Sequence, residues 1–551
     1  MDFDKNGEFF RGSYATLNMF GTEMPLEYSG ARSEYLACRS TAWLGGALNC
    51  SPVYDVSGQD AAKVLTRTCV NKDFSLMQPN TSKHALICNE KGNMTADGVI
   101  MYKGDNVWRS YWLAPVLQYY VEKGEREGLD VHGSYHEDEY FFQIDGPKSL
   151  EILEEATQTD LHDIKFAKNK DVKICGTDMV VHRLGMSGAL AYEVHGNVKD
   201  KEIAYARLRE TLEKNGGKPL GFRNYVIINH TPAGYPNQYQ HFLYDFTCGE
   251  DDFIRFCRDH CFPQFALGSA IVDQNIFHVS PYDISWGYLV NFNHEFIGKA
   301  ALAEIKANQK KQIVTLEWNT EDVGEVFMSQ FRGRAVKPYE PIEAYHSSYN
   351  GSSMAPTRGD FVMKDGRITG VATGRTYAFY EQRMISLAII DKADAILGNE
   401  LSVLWGAPGY PQKEIRAVVA PFPYYNGEFR NETFDTEKIP HPDFAAANST
   451  SIEGSYDVVV NTIIGDQPGS FTYHLENKEL TGTATAMNTT VDIYNGTVDG
   501  RKITHNMMMA TPLGKMEIKV SAELYGDRLT GTMTAGPMSM NFIGTRRKAA
   551  R

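Results

Sequence analysis

Long apolar runs are missing from this chain. No stretch approaches the ~18 apolar residues of a membrane-spanning helix, so no span is expected. The opening residues MDFDKNGEFF have neither the basic start nor the apolar stretch of a signal peptide, and a cytoplasmic location is expected. Positive charge is also short: 55 Lys and Arg against 69 Asp and Glu leave a net charge of −14. That balance argues against a general nucleic-acid or anionic-membrane binder. The one basic run, Arg546-Arg547-Lys548 with Arg551, reads as a solvated end. Cysteine is sparse: eight residues, none after Cys261, scattered as reduced thiols would be rather than spaced as a disulfide framework. Cys257, His260 and Cys261 offer ligand atoms, but no second pair stands at zinc spacing, and no metal is expected.

What is present is an ordinary globular composition over 551 residues, enough for two to four domains. Val53–Val56 reads as a strand and Gly58–Leu65 as a helix. Strands follow at 83–88, 96–102 and 108–112, the first two joined by the hairpin turn NEKGN, with a helix from Ala114 to about Glu127. The layout then recurs. Tyr140–Ile144 is a strand, Gly146-Pro147 opens a helix, and strands follow at 172–174 and 179–184. Two related α+β halves are expected within 1–320. From 321 to 425 strands alternate with Gly/Pro turns (339–345, 360–363, 367–374, 384–390, 400–405, 414–419), which predicts a small β-barrel. Residues 426–450 are polar and Pro-containing and read as a linker. In 451–551 apolar and polar residues alternate between Gly turns, and KELTGTATA (478–486) is echoed by DRLTGTMTA (527–535); an antiparallel β-domain is expected. Met507-Met508-Met509 reads first as core filling.

The most informative stretch runs from His182 to Tyr235. A strand ends at Arg183, a Gly-rich turn follows (Gly185, Ser187, Gly188), and a second strand carries Glu193 between apolar neighbours. A helix to about Asn215 stops at Gly216-Gly217. Beyond it Arg223, Tyr225 and Asn229 stand on an apolar background that closes on Gly234-Tyr235. A carboxylate and two phenols beside a Gly-rich turn suit a planar, nitrogen-rich ligand. Glu is rarely buried unpaired, which makes Glu193 the leading site residue. For Tyr225 a core tyrosine is the bland reading, for Asp97 a turn cap, and for Arg223 a local ion pair. His182, His195 and His230 are close in sequence and are assigned no chemistry beyond lining a cleft.

Six motifs in order carry a resemblance: DVSGQDA (55–61), Gly92-Asn-x-x-x-Asp97, QIDGPKS (143–149), GMSGALAYEV (185–194), FIGKAAL (296–302) and GRITGVATG (366–374). Over about 30–425 the chain resembles the folate-dependent aminomethyltransferase family, which includes the glycine cleavage T-protein. GMSGALAYEVHG, the RNY at 223–225 with Asn229 and Gly234-Tyr235, and RMISLAII (383–390) with LWG (404–406) look like the tetrahydrofolate-dependent aryl O-demethylases of that family. The resemblance implies an α+β, three-lobed fold around a central tetrahydrofolate, with the C-terminal β-domain as an addition. It implies transfer of a methyl group from a small, aromatic methyl donor to N5. An aminomethyltransferase, an N- or S-demethylase, and a non-catalytic folate-binding protein are the alternatives. Matched by position, Glu193 and Gln143 would bind the pterin, with Tyr235 and Arg223 also at the cofactor. Tyr225 would be the catalytic phenol, with Asp97 beside it. Tyr28, Cys50 and Leu113 would face the donor. The chain departs from the pattern where Ala96-Asp97 replaces an acidic pair, Cys50 a histidine, and Leu113 an arginine; Arg109 lies four residues from Leu113.

Overall fold

A computed structural model describes residues 3–19, 22–46, 52–225, 229–238, 240–342, 357–442, 444, 451–462, 465–476, 479–486, 489–511, 514–525, 528–536 and 538–547. The chain forms two compact units, Met1–Pro440 and His441–Arg551. Among the described residues no helix is long and apolar enough to cross a membrane.

The first unit contains two sheets of one plan. In one, the order is Thr81–Cys88, Met94–Gly104, Val107–Tyr111, Val53–Ser57 and His132–Tyr135. In the other it is Asn169–Ile174, Thr177–His182, Ala191–Asn197, Glu139–Asp145, Trp43–Gly45 and Lys218–Leu220, where only the last pairing is parallel. Each has a three-strand meander returning to the first strand of its half, as the recurring sequence layout predicts. The shared motif has a shared physical cause. Val53–Ser57 passes through Gly58 into the helix Ala61–Thr68, and Glu139–Asp145 passes through Gly146 into Ser149–Thr157. Gly58 has φ 112° and Gly146 φ 136°; a Cβ on either would lie 2.3 Å from a carbonyl oxygen, of Asp130 and Thr41 respectively. Only glycine lets the strand turn so close to the neighbouring backbone. Each sheet packs its helices over its own core, one around Val64, Leu65 and Leu117, the other around Phe142, Leu153 and Leu208.

A six-strand ring follows: Thr357–Lys364, Arg367–Ala378, Arg383–Asp391, Lys311–Trp318, Lys413–Ala420 and Glu400–Trp405, closed by Val362 pairing with Val403. The barrel thus recruits Lys311–Trp318 from before residue 321. Of the strand expected at 339–345, residues 339–342 are not strand, and 343–345 lie outside the described residues. The expected linker 426–450 is packed as far as Pro440. Phe434 and Ile439 enter the second core, and Arg183 donates to the Asn431 side chain and to the carbonyls of Asn431 and Phe434. Two apolar anchors outweigh a polar composition.

The second unit is a closed antiparallel barrel of eight strands, Gly454–Thr462 through Met538–Arg546, in sequence order around the ring. The sequence echo falls on its third and seventh strands, Glu479–Ala486 and Arg528–Ala535. Leu480 and Leu529 are both buried, and a Cβ at Gly482 or Gly531 would lie 1.9 or 2.3 Å from a neighbouring carbonyl oxygen. Met507 and Met509 are core residues, while Met508 is exposed.

Candidate active site

The two halves meet along a seam of polar side chains. The register pairs Glu193 with Gln143 on one side and with His182 on the other. Cross-strand partners share a face, so these three and His195, two residues on, point the same way. Opposite them stand residues of the first half. Ser82 Oγ is 2.6 Å from His182 Nε2. Tyr111 donates to Glu139 Oε2 at 2.8 Å, and Arg109 donates to Glu139 Oε1 at 2.8 Å while also gripping Asp55. The Tyr111 and His195 rings lie 5.2 Å apart. Burial would raise Glu193, but the His182 and His195 rings outweigh it and hold the carboxyl down to about 2. Burial lowers His195, yet Glu139 and Glu193 lift it to about 8. Burial dominates at His182, which titrates below the usual histidine range. At Glu139 burial is likewise outweighed, by His195, Arg109 and Tyr111, leaving the carboxyl at about 2.

Asp97 lies in the strand Met94–Gly104, held by Tyr244. The Tyr244 hydroxyl donates to Asp97 Oδ1 at 2.6 Å and accepts from the Asp97 backbone N–H at 2.8 Å, and His84 Nε2 is 3.1 Å from Oδ2. Two contacts therefore aim the carboxylate, and the third fixes its backbone. Its charge reaches His230, which burial nevertheless depresses to about 4.

Tyr225 is buried, its ring edge-on to Trp43 (6.3 Å between centroids) and to His230 (6.4 Å). Its segment is fixed by Glu34, in the first turn of the helix Ala31–Ser40. Glu34 Oε1 accepts from the backbone N–H of Tyr28 (2.6 Å) and Ser29 (2.9 Å), and Oε2 accepts from Gly221 N–H (2.8 Å) and Asn224 Nδ2 (3.0 Å).

The remaining candidates are placed as follows. Arg223 pairs with Glu27 at 2.5 Å, the local ion pair that was its plainer reading. Tyr28 donates to the Phe9 carbonyl at 2.5 Å beside Tyr205 and under Arg209, contacts that include none of the other candidates. Leu113 is fully buried in the first core, and its side chain packs at Gly98. Tyr235 is half-buried, with the Arg430 guanidinium 5.0 Å above its ring. Cys50 lies outside the described residues. Sequence reasoning missed Tyr244, His84, Tyr111, Glu139 and Glu34. The aromatic density of 236–280 signalled the first; the others lie on strands and a helix with no local motif.

The first unit is a duplicated α+β core with a buried carboxylate at the seam and a small closed barrel beside it. Comparison with known proteins gives the family. The family model for the GCVT N-terminal domain matches residues 13–229. A sesamin methylene transferase from Sinomonas sp. is 41% identical over 446 residues, 78% of this chain and 96% of the relative. A syringate O-demethylase from Sphingobium sp. is 29% identical over 444 residues, 76% of this chain and 93% of the relative. The glycine cleavage aminomethyltransferase T of Bartonella henselae superposes with a TM-score of 0.56 at 16% identity, covering 76% of this chain and 97% of that one. The chain belongs to the GCVT family of folate-dependent aminomethyltransferase-like enzymes. It is a transferase, and its family implies a tetrahydrofolate-dependent reaction.

Proposed function

We propose that the enzyme moves a one-carbon unit from an aryl ether oxygen to N5 of tetrahydrofolate. The observation that carries this reading is the cross-strand pair Gln143–Glu193. Gln143 is fully buried, and neither its amide oxygen nor its nitrogen has a hydrogen-bond partner among the described residues. Buried amides are rarely left so, and a bound ligand would supply the missing partners. Beside it Glu193 is ionised. A pterin edge presents adjacent N–H donors next to a carbonyl; the carboxylate accepts from the donors, and the amide nitrogen donates to the carbonyl. The residues fit the group. Bound there, tetrahydrofolate supplies N5 as the acceptor of the carbon.

The chain's own residues do the rest. Tyr225 donates a hydrogen bond to the ether oxygen as negative charge develops on it, making a poor leaving group better. Asp97, aimed by Tyr244 and His84, holds a fixed negative charge near the reacting carbon. His230, neutral at working pH, lines the space beside Tyr225 without adding a competing positive charge. Orientation of the two reactants in the seam supplies much of the rate. A methoxylated aromatic is the first donor class. A methylene-bridged aromatic diether is the second, favoured because the relative named for methylene transfer is 41% identical and the one named for O-demethylation 29%.

The test is purified protein, tetrahydrofolate and a panel of methoxy- and methylenedioxy-arenes. Free phenol or catechol is expected only when folate is present, matched by one-carbon gain on the folate. Folate binding without phenol release from any donor overturns the reading in favour of a folate-binding protein. Unchanged folate affinity in Glu193→Ala removes the pterin assignment.

A further inference from the structure

His182, Glu193 and His195 do more than line the seam. His182 Nδ1 and His195 Nε2 both point at one oxygen, Glu193 Oε2, from 3.3 and 3.6 Å. All three ligand atoms lie within 4.8 Å of one another, and all three residues are buried. His195 lies between the carboxylates of Glu139 and Glu193, its ring stacked on Phe141. It is 2% exposed, neither of its ring nitrogens makes a hydrogen bond among the described residues, and each faces a carboxylate at non-bonding distance. His182 Nδ1 is within hydrogen-bond distance of Glu193 Oε2 at 3.3 Å and His195 Nε2 lies just beyond it at 3.6 Å, and both separations also suit ligands of one ion. Zinc–nitrogen and zinc–oxygen bonds of ~2.0–2.2 Å in a tetrahedron put ligand atoms about 3.4 Å apart.

The surroundings have the form that metal ligands need. A metal-bound imidazole turns its second nitrogen to a carboxylate or hydroxyl, which fixes the ring. His182 does so with Ser82 Oγ at 2.6 Å, and His195 faces Glu139 Oε2 at 3.7 Å. Glu139 is itself fixed by Tyr111 and Arg109. Three carboxylates, of Asp55, Glu139 and Glu193, stand around the Arg109 guanidinium and the two imidazoles, with Lys103, Lys173 and Lys199 in the groove wall beyond. A groove of about 770 Å³ has Glu139 and His195 in its wall. No linear motif announces the cluster, because it is assembled by strand register across two strands.

We propose that His182, Glu193 and His195 form a site for one zinc-type divalent cation, which shares the Glu193 carboxylate with the pterin. The sharing rests on the pterin reading above; the metal site does not. Oε2 engaged by a cation is lost to the bidentate grip on the pterin edge, so cation and folate compete.

The experiment is a titration of chelator-treated protein with Co²⁺, followed by its ligand-field absorption. One equivalent is expected to bind, giving the intense visible bands of low coordination, and Zn²⁺ is expected to displace it. His182→Gln and His195→Gln are each expected to weaken binding at least tenfold, and Glu139→Gln by about 10-fold through loss of the outer partner. Near-ultraviolet circular dichroism checks that the variants fold. Tetrahydrofolate is expected to raise the apparent Co²⁺ dissociation constant, and Co²⁺ that of folate, by the same factor. Absence of a saturable Co²⁺ spectrum in the wild-type protein overturns the site, as does an unchanged spectrum in folded His182→Gln and His195→Gln. A Co²⁺ affinity that folate leaves untouched overturns the shared carboxylate while the metal site stands.

Discussion

Replacing Glu34 by Gln tests how the Tyr225 segment is held. The carboxylate is fully buried and accepts four hydrogen bonds, two on each oxygen. A glutamine keeps the shape but turns one oxygen into an N–H₂ donor. Whichever way the amide settles, two of the four donors then face another donor. Hydrogen bonds to charged groups contribute ~1.5–3 kcal/mol each, so two lost bonds amount to about 3–6 kcal/mol. Against a typical stability of ~5–15 kcal/mol that is a large fraction. All six tryptophans lie between Trp43 and Trp405, so fluorescence reports the first unit alone. Urea unfolding followed by that signal should give about 4 kcal/mol less for Glu34→Gln. Adding Asn224→Asp gives the new amide a carboxylate to donate to, and should recover about 1–2 kcal/mol. A loss under ~1 kcal/mol, or no recovery in the double variant, would refute the account of this carboxylate as the staple between the Tyr28 and Tyr225 segments.

Other outcomes follow from geometry already described. Gly146→Ala should lower stability by about 2–4 kcal/mol in the same assay, because its Cβ must fit 2.3 Å from the Thr41 carbonyl at a positive φ; an unchanged midpoint would contradict the strand–Gly–helix argument. Tyr244→Phe should lower kcat about 10- to 100-fold with little change in folate affinity, since it frees Asp97 to turn; equal loss in both would mean that it acts through folding instead. Acid should destabilise the first unit through its buried histidines. Burial holds His230 near 4 and His241 near 3, below the unfolded value of ~6.5. Between those values the unfolded chain binds the extra proton, so their stabilisation is complete above pH ~6.5 and lost as pH falls toward 4. For His230 that is about 3 kcal/mol. Urea midpoints that stay flat from pH 7 to pH 4.5 would count against it.

The sequence carried the repeated halves because their cause is local. Gly58 and Gly146 are required by backbone approach, and a glycine between a strand and a helix is visible in one dimension. The terminal barrel was legible for a similar reason, as alternation and turns set its strands. Lys311–Trp318 was not readable as a barrel member, since its partners lie more than sixty residues away. Phe434 and Ile439 were hidden by the polar residues around them. At the candidate site, Glu193 stood out as an acid in an apolar strand. Its surroundings did not, because His182 joins it by register, while from the other sheet Ser82 reaches His182 and Tyr111 reaches Glu139. Tyr28, Arg223 and Leu113, matched by motif, have a carbonyl, a carboxylate and a core as their neighbours, none of which the motif shows. Matching by motif supplies a position, while burial and the nearest hydrogen-bond partner decide what the side chain does there.

The terminal barrel repeats Leu-Thr-Gly-Thr in its third and seventh strands, four strands apart on a ring of eight. That spacing divides the ring into two runs of four consecutive antiparallel strands, each with one copy of the motif at the same place in the run. The same ring cut between its fourth and fifth strands, at the turn after Asp499, should then reassemble from its two separate halves.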